Sequence, residues 1–158
     1  HLELEKRPVD LNRMLHQVVS EFQPMLAEKS MTCHLALPDK LSCSCDPDKL
    51  ARVFDNLLRN ACHYGLPGTD IRIAGEIDGG RAVLTFSNAG RTIPQEKLER
   101  IFEQFFRLDS SRATRTGGAG LGLAIAKEIV ELHGGTITAR SADQEVVFTV
   151  SLPCSEMP

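Results

Sequence analysis

The sequence predicts an α+β fold, a two-layer α/β sandwich in which helices cover one face of a mixed, mostly antiparallel sheet. Three observations carry this expectation. Strand-like segments arrive in adjacent pairs, and the last two pairs read as hairpins. Apolar residues within strands alternate, so each strand has one face for a core. Segments of helical period separate the pairs, in the order helix, two strands, helix, two strands, short helix, loop, helix, two strands.

The opening "LELEKRPVDLNRMLHQVVSEFQPML" starts with a short alternating segment and continues as an amphipathic helix. Pro8 divides the two, and Asp10 is placed to cap the helix. "MTCHLALP" and "LSCSCDP" read as a pair of short strands divided by the turn residues Pro38 and Asp39. In "DPDKLARVFDNLLRNACHYG", Leu50, Val53, Phe54, Leu57, Leu58 and Ala61 recur at helical spacing. Asp46 or Asp48 caps that helix, Pro47 suits its first turn, and Gly65 stops it.

"TDIRIAGEIDGGRAVLTFSN" reads as two strands around an Asp-Gly-Gly turn. Ile71, Ile73 and Ile77 alternate on the first, and Ala82, Leu84 and Phe86 on the second. A short helix follows Pro94, and then a stretch with little periodicity. A helix over about residues 120–133 comes next. A final hairpin ends the chain, with Val146, Phe148, Val150 and Leu152 alternating.

With 158 residues, 42% of them apolar and 25% charged, the chain suits one globular domain spanning 1–158. The net charge of −3 leaves no general footprint for nucleic acid or an anionic membrane. No apolar run reaches the ~18 residues of a spanning helix. A chain that begins at His1 is expected to be a piece of something longer. Five cysteines, an odd number without paired CxxC spacing, argue against a disulfide framework or a zinc site. Buried, reduced thiols in a cytosolic protein are the expectation.

Three stretches carry chemistry. On the helix over residues 49–64, Asn56, Asn60 and His63 stand at i, i+4 and i+7 and share a stripe roughly 60° wide. Asparagine is a mediocre helix former. Its side-chain oxygen suits a hard cation such as Mg²⁺, which borrows further oxygens from a substrate phosphate. His63 is placed to donate to that phosphate, although a solvated polar face explains the stripe equally well. In "FSNAGRTIP", Asn88 ends a strand where an amide can meet an adenine edge, and Gly90 allows close approach to the backbone. In "TRTGGAGLGLAIAKEIVELHGG", Gly117, Gly118, Gly120 and Gly122 lead into a helix. Unpaired N–H groups and the positive dipole end there make a phosphate cradle. No GxxxxGK[ST] or GxGxxG is present, which excludes a P-loop and a dinucleotide fingerprint.

Taken in order, these pieces resemble the catalytic ATP-binding domain of sensor histidine kinases. "DNLLRNACHY" is similar to that family's N box, "FSNAGRTIP" to its first glycine box, "FEQFFR" to its F box and "GGAGLGL" to its second glycine box. "SNAGRTIP" with Asn88 and Thr92, and the later run "FFRLDSSRATRTGGAGLGLAIAKEIVELHGGTI", are most similar to vancomycin-resistance sensor kinases of the VanS type. The resemblance implies the Bergerat fold shared with gyrase, Hsp90 and MutL ATPases.

It also implies ATP and Mg²⁺ as ligands, with Mg²⁺ on Asn60 and Asn56 beside it. His63, Tyr64, Asn88, Gly90 and Ile93 belong to the nucleotide site. Phe102, Phe105, Phe106 and Arg107 begin a mobile lid over about residues 103–119. Gly118, Gly120, Leu121, Gly122 and Leu123 bracket the phosphates. Asn56, Asn60 and Arg107 carry catalysis, with Arg112 or Arg115 as further lid cations.

The implied reaction moves the γ-phosphoryl group of ATP to a histidine on a separate helical-hairpin domain, and from there to a response regulator. None of the chain's histidines stands in an acceptor motif, so the hairpin, sensor and membrane segments are expected elsewhere in a membrane-bound, homodimeric parent. The piece itself is expected to be a cytoplasmic monomer.

Three positions depart from the family pattern. Asn88 replaces the usual aspartate, an acceptor without charge assistance, which weakens binding by ~1 kcal/mol. Thr92 replaces a glycine and is expected to narrow the pocket mouth. His63 stands where lysine is common and makes phosphate attraction sensitive to pH. Asn56 occupies the place of the glutamate base of hydrolysing relatives and cannot take a proton there. A nucleotide- or partner-binding module without phosphotransfer stays open as the alternative, and an anti-sigma serine kinase as a smaller one.

Overall fold

The computed structural model describes residues 3–108 and 119–154. Strand β1 (Arg7–Asp10) ends in the residue that caps helix α1 (Leu11–Glu21), where the Asp10 carboxylate accepts the Arg13 N–H at 3.2 Å. Leu11, Leu15, Val18 and Val19 form the buried stripe of α1. Helix α2 (Gln23–Glu28) restarts at Phe22 with Pro24 in its first turn, and strands β2 (Thr32–Ala36) and β3 (Ser42–Cys45) follow.

These two strands are not partners, which corrects the sequence reading of them as a pair. β2 runs parallel to β4 (Asp70–Asp78), and β3 pairs antiparallel with β1 in a separate two-stranded ribbon. The connection over residues 37–41 is anchored instead by Asn12, whose amide donates to Pro38 O at 2.7 Å. Leu11 N–H also donates to Leu41 O at 2.8 Å. Alternation reports which face of a strand is buried, not which strand lies beside it.

Of the two candidate caps for helix α3 (Pro47–Tyr64), the structure selects Asp46, whose side chain accepts from Lys49 N. It accepts from Glu5 N at 2.9 Å and from the Lys49 ammonium at 3.2 Å as well. The Glu5 N–H bond leads the causes that lower its pKa from 3.8 to about 2. A depressed carboxyl stabilises the fold above its unfolded pKa and loses that contribution as pH falls through the folded one. Acid titration of the urea midpoint is therefore expected to show a loss between about pH 4 and pH 2. Asp46→Asn is expected to flatten that segment, and an unchanged profile would exclude Asp46 as its source.

At the other end of α3, the Lys29 ammonium donates to Cys62 O, His63 O and Gly65 O at 2.6, 3.1 and 2.8 Å. A cation there meets the helix's orphan carbonyls and the negative end of its dipole.

β4 and β5 (Arg81–Ala89) form the expected hairpin around Gly79 and Gly80, both at positive φ. Helix α4 (Gln95–Leu98) follows Pro94, and helix α5 (Ala119–Leu132) matches the expected span closely. β6 (Thr136–Ala142) and β7 (Glu145–Pro153) close the main sheet, whose order is β2-β4-β5-β7-β6. Only the β2–β4 pair is parallel, so the sheet is mixed and mostly antiparallel. Leu84, Phe86, Val150 and Leu152 from its inner face meet Phe54, Leu57 and Leu58 of α3 in one core, with Phe54 stacked on Phe86 at 5.8 Å.

α3 and α5 are fastened together through His133. Its Nδ1 lies 2.8 Å from Ile129 O, and its Nε2 accepts the Asp46 N–H at 3.0 Å. That pairing fixes the tautomer, with the proton on Nδ1. The five cysteines are free thiols, four of them buried and Cys33 half-buried. Burial raises Cys33 and Cys43 to about 12 and Cys45 to about 11, and pushes Cys62 up as well. The Cys43 thiol donates to Pro153 O at 3.1 Å and the Cys154 thiol to Ser42 O, which ties the ribbon to the end of β7.

Candidate functional site

The inner face of β5 reads Ala82, Leu84, Phe86, Asn88, so an amide stands where the apolar column would continue. Asn88 is only 5% exposed, flanked in register by Ile71 and Val146. Its Nδ2 donates to Ala89 O at 3.1 Å, and the same carbonyl takes the Leu66 N–H at 2.9 Å. That bond uses one of the two Nδ2 hydrogens, and among the described residues the amide oxygen has no such backbone partner. Gly90 follows because a Cβ there would stand 3.0 Å from Tyr64 O and 3.1 Å from Asn88 Nδ2.

Across from β5, α3 supplies a second amide. Asn60 is 7% exposed, and its Nδ2 donates to Asn56 O at 2.9 Å. Asn56 reaches the other way, donating from Nδ2 to Gly122 O at 3.0 Å in the first turns of α5. A Cβ on Gly122 would lie 3.4 Å from the Asn56 side chain, so glycine permits this approach. The pairing ties the polar stripe of α3 to the start of the glycine-rich helix. The Tyr64 ring meets the His63 ring edge-on at 4.5 Å.

Between these elements lies a cavity of about 550 Å³. Asn60, His63, Tyr64, Asn88, Ile93 and Leu123, six of the residues expected at a nucleotide site, line it. Its walls also include Leu66, Pro94, Ile101, Phe106, Leu108, Val146 and Phe148, a surface suited to a flat apolar ring. Arg91 and Lys97 are exposed residues of its lining, and among the described residues no carboxylate lines it. In a chain of net charge −3, the described lining is locally cationic. No group of three or more His, Cys, Asp or Glu able to hold a metal occurs among the described residues. The donors at hand are neutral amides, which fit a cation that takes most of its oxygens from a phosphate ligand and water.

Other anticipated residues stand outside the lining. Asn56, Gly90 and Gly122 lie one contact behind it. Phe102 packs edge-on against Phe148, ring centroids 6.0 Å apart, with the Lys127 ammonium 5.8 Å from its ring centroid. Arg107 lies in the described part of the expected lid. Gly117, Gly118, Arg112 and Arg115 fall outside the described residues, and Gly120 and Leu121 contribute their backbone to α5. Lys97 is not anticipated by the sequence, because a surface cation on a one-turn helix leaves no pattern.

A model of the histidine kinase-, DNA gyrase B- and HSP90-like ATPases matches residues 45–156. The chain is 44% identical to the sensor protein VanSC of Enterococcus gallinarum over 95% of its length, covering 41% of that relative. It is 47% identical to the sensor protein VanS of Enterococcus faecium over 95% of its length, covering 39%. The chain thus spans about two fifths of these curated relatives. Among solved structures it is similar to the catalytic domain of the histidine kinase ThkA, with a TM-score of 0.85 and 27% identity over 96% of this chain and 97% of that one. ThkA in complex with the response regulator protein TrrA gives a TM-score of 0.82 at 26% identity, over 96% of this chain and 42% of that one. The match to residues 45–156 contains both amides, the cavity and the glycine-rich helix start, and the chain belongs to the histidine kinase-, DNA gyrase B- and HSP90-like ATPase family.

Proposed function

We propose that the cavity binds ATP and that, within a longer sensor kinase, the γ-phosphoryl group passes from it to a histidine nitrogen on a separate helical-hairpin domain. The bond from the γ-phosphorus to the β,γ-bridging oxygen breaks, a P–N bond forms, and ADP leaves. The phosphoryl group then moves to an aspartate of a response regulator, in line with the ThkA–TrrA pairing. Similarity to VanSC and VanS supports a role in glycopeptide-resistance signalling.

The observation that carries this reading is the cavity's make-up among the described residues: cations Arg91 and Lys97, amides Asn60 and Asn88, apolar walls, and no carboxylate. Asn88 would accept from the adenine amino group, and the α5 start would meet phosphate oxygens through its N–H groups. Asn60, with Asn56 behind it, would hold Mg²⁺, which neutralises phosphate charge when bound. Arg107 would steady charge on the transferred group. No helix among the described residues is long and apolar enough to cross a membrane. We place the domain on the cytoplasmic side of a membrane-bound, dimeric parent.

Calorimetric titration with a non-hydrolysable ATP analogue, with and without Mg²⁺, tests binding. Incubation with ATP and an added hairpin domain tests transfer, read as acid-labile phosphate on that domain. Saturable, Mg²⁺-enhanced binding and labelling are expected. Binding without labelling would favour a nucleotide-binding module, and no binding at millimolar nucleotide would reject the site.

A further inference from the structure

The turn between β6 and β7 holds a glutamine where its hairpin geometry favours glycine. Ala142 and Glu145 are register partners, and the two residues between them, Asp143 and Gln144, have φ of 52° and 61°. A two-residue hairpin turn wants positive φ at both places and usually fills them with Asn-Gly or Asp-Gly. A glutamine there is strained, and such strain persists where the surroundings over-determine it.

Those surroundings are the wall of the nucleotide cavity. Gln144 O accepts the Gly90 N–H at 2.9 Å, and Gln144 N–H donates to the Thr92 hydroxyl at 2.7 Å. One residue further on, Ile93 N–H donates to the Ser141 hydroxyl at 2.9 Å, which itself donates to Glu145 O at 2.8 Å. Residues 90–93 belong to no helix or strand, yet three hydrogen bonds join their segment to the β6–β7 hairpin, and a fourth holds Ser141 to Glu145 within it. Thr92 and Ile93 line the cavity, whereas Ser141 does not.

We propose that the β6–β7 turn is a brace for the nucleotide pocket, with the Thr92 and Ser141 hydroxyls as positioning groups that hold the wall over residues 90–93. The proposal rests on the nucleotide reading of the cavity. It explains why Thr92 departs from the usual glycine, since glycine has no hydroxyl with which to accept from the Gln144 N–H.

The test compares four variants of this chain, Thr92→Val, Thr92→Ser, Ser141→Ala and Ser141→Thr, by calorimetric titration with the ATP analogue. Amide exchange at Ile93 and Gln144 is followed in parallel. Thr92 is exposed and Ser141 partly so, so all four are expected to keep their thermal midpoints near that of the parent. Thr92→Val and Ser141→Ala are each expected to weaken binding about fivefold. The first speeds exchange at Gln144, and the second at Ile93. Thr92→Ser and Ser141→Thr keep the hydroxyl and are expected to bind as the parent does. Faster exchange with unchanged affinity overturns the brace, and so does failure of the hydroxyl-keeping variants to retain affinity. A parent chain that does not bind the analogue at all rejects the nucleotide reading, and the brace with it.

Discussion

Asn60→Ala is expected to lower affinity for the Mg²⁺–nucleotide complex about 100-fold while leaving the fold intact, the scale at which removal of one preorganised polar group is felt. The side chain is nearly buried, its nitrogen is held by Asn56 O at 2.9 Å, and its oxygen is the atom left for a cation. Alanine supplies no oxygen, and among the described residues no carboxylate lines the cavity to take over. The stability cost is small because the lost bond lies within one helix turn and alanine is the better helix former. Calorimetry with and without Mg²⁺ separates the possibilities. In the parent, Mg²⁺ strengthens binding; in Asn60→Ala, the two titrations converge. Wild-type affinity with full Mg²⁺ dependence would exclude Asn60 as the metal-holding residue. Asn60→Asp gives the opposite balance. It keeps an oxygen and adds charge, so binding without Mg²⁺ falls while binding with it survives.

The parts of this site legible in the sequence are those fixed by local chemistry. Helical spacing places Leu50, Phe54, Leu57 and Leu58 on the buried side of α3, and the same geometry lets Asn56 and Asn60 share another stripe. A polar residue at the end of an apolar alternation marks Asn88. Long-range partnership is not legible. Nothing in "MTCHLALP" or "LSCSCDP" says that one joins the main sheet and the other a ribbon, because strand partners are chosen by packing far away in the chain. The sequence leaves Asp46 and Asp48 equal as caps; the backbone at Asp46 puts its carboxylate on Lys49 N, and the further bond from Glu5 N, 41 residues earlier, has no local signal. Thr92 reads as an obstruction in the sequence alone; the fold turns its hydroxyl to the Gln144 N–H.

The second large effect falls on His133, which the sequence offers only as one more histidine outside an acceptor motif. His133→Leu is expected to destabilise the domain by about 3 kcal/mol, since it orphans the buried Asp46 N–H and removes one of the two donors to Ile129 O, which keeps the backbone N–H of residue 133. The ring is 5% exposed and spans from Ile129 O on α5 to Asp46 N–H at the cap of α3. Leucine fills much of the space but can neither accept from Asp46 nor donate to Ile129. For a domain of this size the loss is read as a thermal midpoint lower by about 9 °C. His133→Gln, with both a donor and an acceptor, is expected to recover part of it. The consequence reaches the site because α3 and α5 meet again at Asn56 Nδ2 and Gly122 O, 3.0 Å apart. With the His133 fastening gone, that bond must hold the glycine-rich helix start against α3, so nucleotide affinity is expected to fall along with stability. A midpoint within about 2 °C of the parent would show that packing alone fixes the two helices, at less than about 1 kcal/mol for the bridge. A lowered midpoint with unchanged nucleotide affinity would confine His133 to the fold and leave the Asn56–Gly122 contact sufficient for the site.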